Sequence, residues 1–245
     1  MKYALVNNKT EATEGARGIC PSCGSKMIAK CGEKKAHHWA HLKSNSCDNW
    51  WENETAWHRN WKSHFPVEWQ EVVHTSGNGE KHIADVKTDY GWVLEFQHSY
   101  IKPKERRARD TFYSKLIWII DGLSRPTDII QFNKALKKHA IKISQQPHIL
   151  ILYPKYCTLN CRLFEEWGTS NSLVYFDFHK VGSKTESDLW LLLPTNTYPE
   201  SIYLMKTSRD RFIKYVIDGR IDRWYKRYIL RMNHPESLLD WLKSL

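Results

Sequence analysis

The sequence predicts a mixed α/β protein in three parts, and three observations carry that expectation. A Cys-x2-Cys-Gly turn followed by a further histidine and cysteine marks a short metal-binding segment. A run reading helix, three strands, helix, strand comes next. Beyond it lie further apolar strand-length stretches and helical segments. The expected parts are 1–49, an N-terminal strand and zinc-binding segment, then 50–140, an αβββαβ core, then 141–245, a C-terminal mixed α/β extension.

At 245 residues, 41% of them hydrophobic and 12 of them Trp, the chain is long enough and apolar enough to bury a sizeable core. No run approaches the length of apolar sequence that a membrane span requires. The start, MKYALVNNKTEATEGARG, lacks the apolar stretch of a secretory signal, so a cytoplasmic protein is expected. A net charge of +10 favours polyanionic partners through counterion release, and nucleic acid is the usual one. The same six cysteines that would form a framework in a secreted chain read, in a cytosolic one, as metal ligands or inert thiols.

Four of those cysteines fall in CPSCGSKMIAKCGEKKAHHWAHLKSNSC. Cys20-x2-Cys23 with Gly24 forms a knuckle turn whose backbone amides face two thiolates. His41-x5-Cys47 supplies a second pair for tetrahedral closure, with His38 as the competing histidine and Cys31 left over. A four-ligand set with no open position is structural. Zn2+ at Cys20, Cys23, His41 and Cys47 would hold together a segment too short to build its own core.

The stretch Trp50 to Phe65, WWENETAWHRNWKSHF, has helical character and no Gly or Pro. Trp50, Trp57 and Trp61 recur at helical spacing, with Trp51 one residue on, which predicts a core-facing stripe. Glu54, His58 and Lys62 recur every four residues on another face. After it, the turns GNG and DYG divide VEWQEVVHT, KHIADVKT and WVLEFQHS into three strands of an antiparallel meander. On the third strand Glu95 and Gln97 share one face by the period-two rule, and Asp85 lies near the end of the second. Carboxylates gathered in this way repel unless a cation joins them, and an oxygen-rich set suits Mg2+ or Mn2+. Such an ion would polarise a phosphodiester and help generate hydroxide from water.

KPKERRARDTFY then reads as a basic helix, with Lys104, Arg106 and Arg107 expected to meet a phosphate backbone, as Lys62 is from the preceding helix. KLIWIID reads as a short buried strand. Further on, HILILY, SLVYFDF, DLWLLLP and SIYLM read as strands and CTLNCRLFEEWG as a helix, on which Cys157-x3-Cys161 is expected to be structural. Near the end Arg220, Arg223, Arg227 and Arg231 recur beside Ile221, Trp224 and Tyr228. That mixture fits single-stranded nucleic acid or a duplex flank, with Arg223 and Arg227 as contacts, and fits equally an amphipathic helix packed on the core.

The order of elements, with Asp on the second strand and Glu-x-Gln on the third, resembles the PD-(D/E)xK nuclease superfamily. More closely, CPSCGSKM, HHWAHLKSNSC, WWENETAWHRNWK, HIADVKT and VLEFQHS are similar to the competence protein CoiA-like family, over roughly Arg17 to Asp121. The resemblance implies a zinc-type segment attached to a metal-dependent nuclease core. It implies Asp85 and Glu95 as ligands of Mg2+ or Mn2+, Gln97 in the place of the superfamily's catalytic lysine, and Glu54 with His58 facing the site. Glutamine carries no positive charge, so it positions water or phosphate without lysine's electrostatic stabilisation. The expected activity is hydrolysis of DNA in uptake, recombination, repair or defence; the alternative is a zinc-stabilised DNA-binding accessory that does not cut. Strand preference, and whether the chain assembles with itself or with a partner protein, are left open.

Overall fold

A computed structural model of the chain describes all residues except 34–35, 44–46, 49, 51–53, 145–147, 155–158, 184–187, 195–199, 233–239 and 241–245, with the backbone alone at 231–232. Trp51 and Cys157, and the side chain of Arg231, therefore lie outside the described residues. The chain forms two compact units that divide between Lys87 and Thr88.

The first unit begins with five short strands, β1 (Tyr3–Leu5), β2 (Lys9–Glu11), β3 (Arg17–Ile19), β4 (Lys26–Lys30) and β5 (His38–His41). They form one antiparallel sheet in the order β2-β1-β3-β4-β5. Its core is small: Ala4, Ala12, Cys20, Met27 and Trp39. Helix α1 (Ala56–Lys62) and the antiparallel hairpin of β6 (Gln70–Thr75) and β7 (Lys81–Lys87) complete the unit.

Helix α1 is shorter than the Trp50–Phe65 pattern suggests, and the reason is local. Thr55 takes an extended conformation and accepts the N–H of His58, while the His58 ring accepts the N–H of Thr55 at 3.2 Å. This reciprocal cap ends the helix on its N-terminal side. Trp57 and Trp61 still form the buried stripe, but Trp50 precedes the helix and stacks on His82 of β7.

The second unit contains β8 (Val93–Gln97), α2 (Pro103–Phe112), β9 (Leu116–Asp121), α3 (Pro126–His139), β10 (Ile141–Ser144), β11 (Ile149–Leu152), α4 (Arg162–Trp167), β12 (Leu173–Asp177), β13 (Asp188–Leu193), β14 (Ile202–Ser208), α5 (Arg209–Ile217) and α6 (Arg220–Met232). Within it, β8, β9 and β12 pair in parallel. From β12 the ladder continues antiparallel through β13, β14, β11 and β10. All residues of β8, β9 and β12 are buried, as expected of parallel strands covered on both faces. The alternation anticipated for β8 therefore does not separate a wet face from a dry one. Phe132 of α3 packs against Phe164, Phe176, Phe178 and Trp190, forming the aromatic centre of this core.

Along the chain, α1, β6, β7, β8, α2 and β9 follow one another in the expected helix, three strands, helix, strand order. Helix α4 begins at Arg162, so Cys161 caps it rather than lying within it. No helix of the described residues is long and apolar enough to cross a membrane.

Candidate functional site

The four residues expected to bind zinc converge. Cys20 follows β3 directly, and the chain reverses through Cys23 and Gly24 before β4. Gly24, at φ +71°, takes a left-handed turn position open to glycine, and its N–H donates to the Cys20 carbonyl at 3.0 Å. His41 ends β5 and pairs in register with Met27 of β4. The ligand atoms of Cys20, Cys23, His41 and Cys47 all lie within 4.8 Å of one another. The Cys20 and Cys47 sulfurs are 3.6 Å apart, and Cys23 Sγ is 3.4 Å from His41 Nε2. A tetrahedral zinc with ordinary bond lengths needs about 3.8 Å between two sulfurs and about 3.6 Å between sulfur and nitrogen. The cluster thus has nearly the dimensions of a closed Cys3His site and can hold Zn2+ with no further ligand. Burial, then the neighbouring Cys20, pushes the Cys47 thiol up to about 12; burial acts the same way on Cys23, but hydrogen bonds with Ser25, His41 and Cys20 bring that thiol down to about 6. A divalent cation offsets the rise at Cys47 by binding the thiolates. His38, at the far end of β5, instead lies 3.0 Å from the Ala36 carbonyl, and Cys31 packs against the small core. Among the described residues this is the one group of metal-ligand type.

Cys47 is tied into the rest of its unit through its neighbour. Asp48 is buried, lies 2.8 Å from His82 Nδ1 and accepts the Ile83 N–H at 2.7 Å, so it joins the zinc segment to β7.

Strand β7 also carries Asp85, and here the site differs from expectation. Lys62, expected to reach a phosphate backbone, is 2% exposed. Its ammonium pairs with Glu54, lies 3.0 Å from Glu71 Oε1 and 3.7 Å from Asp85 Oδ1. Burial alone would lower its pKa, but Glu71, Asp85 and Glu54 together raise it above the ordinary lysine value. Glu71 is the residue that sequence reasoning missed. Burial pushes its carboxyl up, yet Lys62 and the N–H groups of Lys2 and Tyr3, which donate to it at 2.8 and 3.0 Å, hold it down at about 2. Its backbone sits at φ 45°, a left-handed position costly for a residue with a side chain. Nothing in its local sequence distinguishes it from a surface glutamate. Glu54 also accepts from Arg59 Nε at 2.9 Å, and Asp85, with a quarter of its side chain exposed, is the most open member of the cluster. His58 is buried, and its ring closes the capping box of α1 with Thr55.

Glu95 and Gln97 belong to the second unit. Glu95 accepts from Arg109 Nη1 of α2 at 2.8 Å, and Arg109 also holds Glu105 at 2.6 Å. Gln97 donates to the Ser99 carbonyl at 3.0 Å. The structure therefore brings Asp85 together with Glu54, Glu71 and Lys62 in the first unit, and Glu95 together with Arg109 in the second.

The basic residues of α2 divide. Lys104 and Arg107 are exposed. Arg106 is 4% exposed; it donates to the Glu166 carbonyl and, at 3.0 Å, to Thr169, and lies over the Trp167 ring. Its guanidinium is engaged within the fold. Both Arg106 and Arg107 line a cavity of about 220 Å³ with His98, Asp121 and Arg125. In it His98 Nδ1 lies 2.7 Å from the buried Asp121 carboxylate. In the tail, Arg223 and Arg227 are exposed on α6, whose Ile221 and Tyr228 are buried. The amphipathic reading of that segment therefore holds, and Arg220, Arg223 and Arg227 face solvent.

These features define a chain with a Cys3His segment on a small antiparallel sheet, attached to a mixed α/β body. The family model described as competence protein CoiA, N-terminal domain, matches residues 6–49, which include Cys20, Cys23, His41 and Cys47. Over these residues the chain is similar to the N-terminal domain of that family. No curated protein and no solved structure matches it significantly.

Proposed function

We propose that this chain is a divalent-metal-dependent nuclease acting on DNA, in the setting of DNA uptake that the family's description suggests or in recombination, repair or defence. Asp85 and Glu95 are the proposed ligands of Mg2+ or Mn2+, and Gln97 positions water or phosphate. A bound ion would polarise the phosphodiester and lower the pKa of an attacking water. The observation that carries the reading is the buried Lys62 ammonium beside Asp85. Lys62 supplies a fixed cation from α1 to stabilise charge near Asp85. Glu54 and Glu71 hold that ammonium in place, so Glu54 acts through Lys62.

The experiment is incubation of labelled single- and double-stranded DNA with the purified chain in Mg2+, Mn2+ or EDTA, beside Glu95→Ala and Asp85→Ala variants. Metal-dependent cleavage that both variants lose supports the assignment; cleavage that survives in both overturns it. A second reading, a zinc-stabilised accessory that binds DNA without cutting, is favoured by one observation. Arg109 already neutralises Glu95 in a buried pair, so a metal at that carboxylate must compete with or share it. Binding without cleavage under every metal condition selects this reading.

A further inference from the structure

The end of the second unit gathers charge and aromatic surface in a way the proposed chemistry does not use. Residues 209–232 contain eight Lys or Arg against three Asp, a net of +5 and half of the chain's +10. On the same segment, β14, α5 and α6 enclose a cleft of about 100 Å³. Its floor is apolar and buried, formed by Tyr175, Phe212 and Ile221. Its walls are the half-buried aromatics Tyr215 and Trp224, and its rim carries Lys206 and Arg211. The guanidinium groups of Arg211 and Arg220 lie 5.6 and 5.9 Å from the centre of the Tyr215 ring. Arg211, Lys214, Arg220 and Arg223 are all exposed.

An aromatic slot rimmed by cations fits one ligand chemistry well: a flat heteroaromatic ring joined to phosphates. A buried benzene needs a closed cavity of about 150 Å³; this smaller, open cleft admits the face and edge of a ring while its backbone stays in solvent. A base inside a duplex is stacked on both sides and cannot present that face, whereas a base of a single strand can. We propose that this cleft seats a base of single-stranded DNA against Tyr215 and Trp224, with Arg211 and Arg220 on the flanking phosphates. The proposal rests on the DNA-directed reading above and adds to it a strand state and a second contact surface.

The test is fluorescence anisotropy of a labelled oligothymidylate in buffer without added Mg2+ or Mn2+, where the proposed cleavage has no metal, against a duplex of equal length. The full chain is compared with Tyr215→Ala and Arg211→Gln, and the exposed position of Arg211 keeps the second variant independent of core packing. The expected result is tighter binding of the single strand, weakened about tenfold by either substitution, with Arg211→Gln lowering the salt dependence by about one ion. Duplex preference, or single-strand affinity unchanged in both variants, overturns the proposal. The two readings fail separately: cleavage with no dependence on Tyr215 overturns the cleft alone, and Tyr215-dependent binding without cleavage overturns the nuclease alone.

Discussion

Replacing Lys62 by Met tests the buried charge cluster directly, because Met keeps an unbranched apolar stem one atom shorter and deletes the ammonium with its charge and hydrogen bonds. The perturbation leaves Glu71, itself buried, facing Glu54 and Asp85 with no ammonium between them. Two routes give its magnitude. Removing one partner of a buried pair costs about 3–5 kcal/mol. Separately, the Glu71 carboxyl falls from 4.5 to about 2 on folding, which corresponds to roughly 3 kcal/mol of stability. Lys62 is not alone in producing that fall, since the Lys2 and Tyr3 N–H groups also donate to Glu71. The loss of Glu54's partner acts in the same direction, and Arg59 moderates it. We expect a loss of about 3 kcal/mol at pH 7.

The sign of the pH dependence follows from the depressed value. Glu71 contributes stability that is complete above pH 4.5 and is lost as pH falls towards about 2. In the Met variant Glu71 takes up its proton more readily, so the gap between the two proteins narrows across that window. Urea unfolding followed by circular dichroism at several pH values measures both quantities. A gap below about 1 kcal/mol at pH 7, or one that does not change between pH 5 and about pH 2.5, would refute the argument that Lys62 is held by these carboxylates.

Atomic emission on the purified chain is expected to find one zinc per chain; Cys20→Ser or Cys47→Ser removes it, and a chelator destabilises the first unit, whose five short strands share a core of only Ala4, Ala12, Cys20, Met27 and Trp39. Arg106→Met is expected to cost about 2 kcal/mol of stability by leaving the Glu166 carbonyl and Thr169 without their donor, while DNA affinity of the folded protein, read by anisotropy, stays within about twofold. Gly219→Ala combines a left-handed φ of +66° with a Cβ only 2.6 Å from the Tyr90 ring; a loss of about 1–3 kcal/mol in urea unfolding is expected, and an unchanged midpoint would show that α5 and α6 do not need this tight break.

The zinc-ligand set was legible because its geometry is short-range. Cys20 and Cys23 meet across one turn, and Gly24 takes the positive φ that the turn demands. The choice between His38 and His41 needed more, since only the register of β5 on β4 places His41 beside Met27 at the cysteine end of the sheet. The strands of the second unit were equally legible as apolar runs, because burial on both faces leaves little else a strand such as LIWIID can be.

The long charged side chains were a different matter. Lys62, Lys104, Arg106 and Arg107 look alike in sequence, yet two are buried and two are exposed. A lysine or arginine has a flexible stem, so its head goes wherever solvent or a distant acceptor offers the better partner. For Lys62 that partner set includes Glu71, nine residues away on β6, and for Arg106 it includes Glu166 and Thr169, some sixty residues away. By itself the sequence determined the mixed α/β class, the order of elements around Asp85 and Glu95, and the cysteines and candidate histidines of the metal centre, all consequences of local period and turn chemistry. Only the tertiary structure decided which cations are structural, which carboxylates they neutralise and which aromatic surface remains open, because each depends on what packs across from a side chain rather than on what precedes it.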